Sequence, residues 1–139
     1  MEYEDFISTV ASRAKVSIDQ AATLTRATLE TLGDRISAGQ AEDIAYQLPG
    51  GLDDHLRKPP PIRREEHARS FGLDEFVRRV ADHPAVDRAH AGAGVRAVFT
   101  TLREAVSRDE FNDAVAQLPK EFRQVFEPVG AGDRQRRGS

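Results

Sequence analysis

The sequence predicts an all-α protein: two tandem four-helix repeats, related by a gapless seventy-residue offset and packed as one helical body. Three observations predict it. The chain matches itself at that offset, its apolar residues recur at three- and four-residue spacing, and capping sequences and prolines punctuate the apolar runs.

At the offset Phe6 falls on Phe76, Val10 on Val80, Ala11 on Ala81, Val16 on Val86 and Ala21 on Ala91. Arg26, Ala27, Thr31, Leu32, Ser37 and Asp43 fall on Arg96, Ala97, Thr101, Leu102, Ser107 and Asp113. Gln47-Leu48-Pro49 falls on Gln117-Leu118-Pro119. The pairs Ile7/Val77, Leu29/Phe99, Ile36/Val106, Leu52/Phe122 and Leu56/Phe126 are conservative. This predicts a first repeat over 2–56, a Pro/Arg-rich linker over 57–70, a second repeat over 71–128 and a disordered tail over 129–139.

Each element follows from local chemistry. Tyr3, Phe6, Ile7, Val10 and Ala14 share one face of a first helix. Ser17-Ile-Asp-Gln20 is a capping box, opening a long helix that carries Ile18, Ala21, Thr25, Thr28, Leu29, Leu32 and Ile36. Ser37-Ala-Gly-Gln40 is another, ahead of Ala41, Ile44 and Ala45. Pro49 lacks an N–H and pushes Leu48 out of the helical region, so the third helix stops near Gln47. Leu48 is then extended and directed inward. Pro49 is expected to start a fourth helix ending near Leu56. In the second repeat Leu73, Phe76, Val77 and Val80 line the first helix. Asp87 is expected to cap a helix with Val95, Val98, Phe99, Leu102 and Val106. Ser107-Arg-Asp-Glu110 is again read as a capping box before Phe111, Ala114 and Val115. Pro119 is expected to start the last helix, with Phe122, Val125 and Phe126 inside.

The copies differ at two places. Gly50-Gly51 stands opposite Lys120-Glu121, which predicts a fourth helix less stable than the eighth, since glycine in a helix costs up to about 1 kcal/mol relative to Ala. His90-Ala-Gly-Ala-Gly94 stands opposite Gln20-Ala-Ala-Thr-Leu24, and its small residues predict a close helix crossing between the units. A four-helix unit of this size buries too little surface to stand alone, so the units are expected to pack about a pseudo-twofold axis.

Composition narrows the function classes. Of 139 residues 39% are hydrophobic and 31% charged, and the net charge of −3 supplies no global field for nucleic acid or an anionic membrane. The absence of Cys excludes disulfides, thiolate metal sites and Cys nucleophiles. MEYEDFISTV lacks a basic n-region and an apolar h-region, and no stretch approaches the roughly 20 apolar residues of a spanning helix. A soluble, cytoplasmic protein is expected. Abundant Arg and Ala with scarce Lys suggest a GC-rich bacterial source.

No chemical constellation emerges. His55, His67, His83 and His90 lack the i, i+4 spacing of helical metal pairs and read as structural histidines. The paired carboxylates Glu4-Asp5, Asp53-Asp54, Glu65-Glu66, Asp74-Glu75 and Asp109-Glu110 include several in predicted first turns, where the helix dipole favours negative charge. There is no phosphate-binding glycine loop, Gly-x-Ser-x-Gly elbow or Rossmann fingerprint, and Gly92-Ala-Gly94 sits within a helical pattern. No catalytic, cofactor or metal residue is assigned. Arg26 and Arg96 are equivalent at the offset and read as ordinary helix-surface arginines, the alternative being that they meet across the axis in an inter-unit pocket. The best basic cluster is Arg57, Lys58, Arg63, Arg64 and Arg69, the candidate partner contacts. Glu65 and Glu66 interrupt it and no aromatic residue is interleaved for base stacking.

The doubled Phe-(Ile/Val)-x-x-Val-Ala near each start and Gln-Leu-Pro near each end resemble the prokaryotic family labelled domain of unknown function 2267. The resemblance covers about residues 2–128, and the Gln-Leu-Pro corners with Phe76 and Phe122 are its most specific parts. It implies a duplicated, all-helical, cytoplasmic bacterial protein, and carries over no activity and no catalytic residue. Gly50 and Gly51 depart from the charged residues expected after that proline. The expected function is a non-enzymatic helical protein-interaction module that binds a partner protein or itself. The alternative is a nucleic-acid-binding accessory protein using the basic linker, and a third reading is a ligand site between the units.

Overall fold

The computed structural model describes residues 1–57, 71–83 and 85–126. Its helices are α1 (Tyr3–Ala14), α2 (Ile18–Arg35), α3 (Ala38–Gln47), α4 (Asp53–Arg57), α5 (Leu73–Ala81), α6 (Ala91–Ala105) and α7 (Arg108–Val115). Two 3-10 segments, Arg88–His90 and Lys120–Val125, complete the order, and no strand occurs among the described residues. The linker from 58 onward, the tail, and with them Lys58, Arg63, Arg64, His67 and Arg69 lie outside the described residues.

Most apolar positions land where their spacing places them. Phe6, Ile7, Val10, Ala11 and Ala14 are the buried face of α1. Leu24, Leu29 and Leu32 of α2 and Val95, Val98, Phe99 and Leu102 of α6 join them in one core. Each fully buried Leu or Phe contributes roughly 1.5–3 kcal/mol from apolar burial. Phe76, Phe99 and Phe122 form an aromatic cluster, with edge-on contacts at 5.7 Å (Phe76–Phe99) and 5.4 Å (Phe76–Phe122). The helices of the two halves interleave: α1 packs on α6 as well as α2, α2 packs on both α5 and α6, and α3 packs on α7.

The close crossing falls at Gly94. A Cβ there would stand 2.6 Å from Cδ2 of Leu24, the residue seventy positions earlier. The side chain on α2 therefore fills the space left by the glycine on α6. Gly92 faces nothing within 4 Å and has no such role.

Several expectations need correction. Pro49 does not open the fourth helix. Leu52 N–H bonds the Pro49 carbonyl, Gly51 takes φ +102°, and α4 begins only at Asp53. The two glycines make a turn instead of a costly first helical turn. After Pro119 the chain is 3-10 and not α-helical, yet Phe122 and Val125 are buried. Phe126 is only half-buried and packs edge-on to Phe111 at 5.1 Å. Asp87 caps the 3-10 turn, accepting from Ala89 N–H, and α6 starts after it. Tyr3 and Ile18, placed on apolar faces by spacing, are exposed.

The glycine difference between the halves has a structural counterpart at the helix starts. α5 begins after Gly72, which has no side chain to cap with, and Glu121 Oε2 accepts from Leu73 N–H at 2.6 Å. A Cβ on Gly72 would lie 2.5 Å from that oxygen. At the offset positions, Glu2 precedes α1 and Gly51 replaces Glu121. There Asp5, inside α1, accepts from Glu2 N–H at 3.2 Å, and Gly51 packs against the Tyr3 ring.

Candidate functional site: the seam between the halves

Gln-Leu-Pro has its role at the seam. Leu48 is extended (φ −84°, ψ 154°) and buried, and Leu118 is buried too. The preceding glutamines then reach across. Gln47 Oε1 accepts from Ser107 N–H at 2.5 Å, and Gln117 Oε1 accepts from Ser37 N–H at 2.8 Å. Ser37 and Ser107 are the N-caps of α3 and α7, and their hydroxyls accept from Gln40 N–H and Glu110 N–H. The sequence assigns the reciprocal bonds to Gln40 and Glu110, as in a capping box. In the structure each of these N-cap N–H groups instead donates to the glutamine of the other half. Gln40 and Glu110 are thereby released, and Gln40 Nε2 donates to Glu110 Oε1 at 3.0 Å. Of the three serine caps among the described residues, Ser17 alone forms the complete local box, with Gln20.

Other polar groups also cross the seam. Arg13 donates to Glu104 at 2.7 Å and to Thr101 Oγ1 at 3.1 Å. Arg35 donates to the carbonyls of Phe71 (2.8 Å) and Gln117 (3.0 Å), and partial burial lowers its pKa. The Phe71 ring carries the Arg35 guanidinium 5.7 Å from its centroid and that of Arg79 at 3.9 Å. Glu30 on α2 stands between two histidines: His55 Nδ1 of α4 and His83 Nε2, just past α5, each 3.3 Å from one of its oxygens. His83 Nδ1 also lies 3.1 Å from the Arg79 carbonyl. Sequence spacing could not pair these histidines, because their common partner lies on a third element.

Arg57 is the one candidate partner contact among the described residues. Glu42 and Asp53 hold its guanidinium at 3.1 and 2.8 Å, raising its pKa. Arg26 is exposed on α2, whereas Arg96 donates to the Gln124 carbonyl, so the structure does not bring the two together. The displaced carboxylates have local causes. Burial pushes Asp53 up, but the hydrogen bond and charge of Arg57 outweigh it and hold it low. Arg79 and then Arg78 lower Glu75, and Ala89 N–H with His90 lowers Asp87. Among the described residues no group of three or more His, Asp or Glu side chains is placed to hold a metal ion, and no helix is long and apolar enough to cross a membrane. A cavity opens away from the seam, at the junction of α6 and α7, lined by Arg103, Val106, Arg108, Phe111 and Asn112.

The interleaved helices and crossed caps define a compact all-helical protein whose Gln-Leu-Pro corners serve packing. The family model described as an uncharacterized conserved protein, DUF2267, matches residues 3–125, and the chain belongs to that family. Comparison with curated proteins finds no match.

Proposed function

We propose that this chain is a non-enzymatic helical module that binds a partner protein in a bacterial cytoplasm, built by duplication of one four-helix unit. The reciprocal bonds of Gln47 to Ser107 and Gln117 to Ser37 support the duplication, since each pair maps on the other at an offset of seventy. The observation that carries the binding reading is Tyr46. It is 83% exposed on the outer face of α3, one position before the seam glutamine that anchors this corner. A rigid aromatic side chain on a fixed helix is the type of residue that anchors protein interfaces. The ion pairs of Arg57 favour this reading over one in which the basic linker binds nucleic acid.

The test uses the purified chain as bait in a bacterial lysate, with and without nuclease, beside Tyr46→Ala. Specific protein retained after nuclease and lost from Tyr46→Ala, with helicity unchanged, supports the module. Equal retention by the variant removes Tyr46 as the anchor. Recovery that vanishes with nuclease overturns the reading in favour of nucleic acid.

A further inference from the structure

We propose that the cavity at the α6–α7 junction is a binding site for a small anion that joins a carboxylate or phosphate to an apolar group. Its volume is about 350 Å³, at the small end of ligand pockets. Arg103 and Arg108 bring two guanidinium groups and Asn112 a carboxamide, around a floor of Val106 and Phe111. No carboxylate lines it among the described residues. Of the acidic neighbours in sequence, Glu104 and Glu110 are drawn off to Arg13 and Gln40, and Asp109 and Asp113 are not among the lining residues.

The donors are placed but not consumed. Arg103 is steadied through Nη1, which donates to the Phe126 carbonyl at 2.7 Å, and its other N–H groups make no bond among the described residues. Arg108 and the Asn112 carboxamide make no hydrogen bond or ion pair among the described residues. Guanidinium groups recognise planar or tetrahedral oxyanions with paired N–H donors. Phe111, held edge-on by Phe126, and Val106 are largely buried and present only their edges to the cavity, enough for a small apolar group beside the oxyanion.

The positions seventy residues earlier provide an internal comparison. They are Gly33, Ile36, Ala38, Ala41 and Glu42, with neither guanidinium present. There the chain itself closes the groove: the Leu56 carbonyl lies 2.8 Å from where a Gly33 Cβ would be, and Arg57 bonds Glu42. Where the Leu56 carbonyl abuts Gly33 there is no spare cation among the described residues, and at the cavity Arg103 and Arg108 stand in place of Gly33 and Ala38; the offset position of Arg57, Glu127, lies outside the described residues.

The test is an amide-resolved NMR titration of the full chain with phenyl phosphate, phenylacetate, inorganic phosphate and neutral 2-phenylethanol. The expected result is saturable shifts at Arg108, Phe111 and Asn112 with phenyl phosphate or phenylacetate. Arg108→Ala is expected to weaken binding at least about tenfold, while Arg26→Ala, another exposed arginine, leaves it unchanged. The tighter of the two aryl anions names the oxyanion, and weaker binding of inorganic phosphate confirms the apolar contribution. Absence of saturation by either aryl anion overturns the proposal. So does equal affinity in Arg108→Ala, or equal binding of 2-phenylethanol.

Discussion

Replacing Thr25 and Thr28 by valine is expected to stabilise the protein. Both residues are fully buried on α2, and their Oγ1 atoms have no hydrogen-bond partner among the described residues. A helical threonine ordinarily bonds the carbonyl four residues back, as Thr31 does to Ala27 (2.8 Å) and Thr101 to Ala97 (2.7 Å). A buried hydroxyl left unpaired costs about 1–3 kcal/mol. Valine has the same shape with a methyl in place of the hydroxyl, and the two residues have similar helix propensity. The offset positions already hold buried valines, Val95 and Val98. Each single substitution should therefore add about 1 kcal/mol, the low end of that range. For a domain of this size that is a rise in Tm of roughly 3–5 °C. The double variant is expected to fall short of the sum, because residues three apart on a helix share neighbours. Urea unfolding followed by circular dichroism, with unchanged m-value, measures it. Thr31→Val, which removes a made bond, is the control and should not stabilise. If Thr25→Val and Thr28→Val both destabilise, the hydroxyls are satisfied, for example by buried water, and the reasoning fails.

Three further outcomes follow from the packing. Gly94→Ala should destabilise by about 1–3 kcal/mol through collision with Leu24, and Leu24→Ala should relieve part of that strain in the double variant, whereas Gly92→Ala should be neutral or stabilising; thermal melts of the set check it. Gln47→Ala and Gln117→Ala should each cost about 1 kcal/mol and speed amide exchange at Ser107 and Ser37 respectively, in the opposite half from the substitution. Glu75 is held below its ordinary pKa by Arg79 and Arg78, so its contribution is complete above the unfolded carboxylate value of roughly 4 and is lost as pH falls through the lower folded value; between pH 7 and pH 3 the urea midpoint of Glu75→Gln should drop less than that of the parent chain.

The candidate sites were legible to different degrees. Local rules found Ser37 and Ser107 as caps because a hydroxyl and an N–H three residues on are neighbours in any helix start. The same rules misassigned the return bond, since Gln117 is 80 residues from Ser37 and competes with Gln40 only once the halves meet. Glu30 between His55 and His83 shows the same limit, with a shared partner on an element that neither histidine's spacing reveals. The Arg103 and Arg108 cavity carried no motif at all. Its signal was the contrast with Gly33 and Ala38 at the offset, which acquires meaning when, among the described residues, one groove is filled and the other is open.

By itself the sequence determined the helices, most of their boundaries and the apolar faces, because periodicity, caps and prolines act within a turn or two of chain. It also determined the corner at Leu48, through the restriction that Pro49 places on its neighbour. Only the tertiary structure decided which half supplies each cap, why Gly94 must be small, and that Pro49 leads into a turn before α4. Those outcomes depend on which groups are brought together when α1 and α2 pack on α6 and α3 packs on α7. An N–H at a helix start, with no partner inside its own helix, takes the best-placed acceptor in space, and sequence distance does not limit that choice.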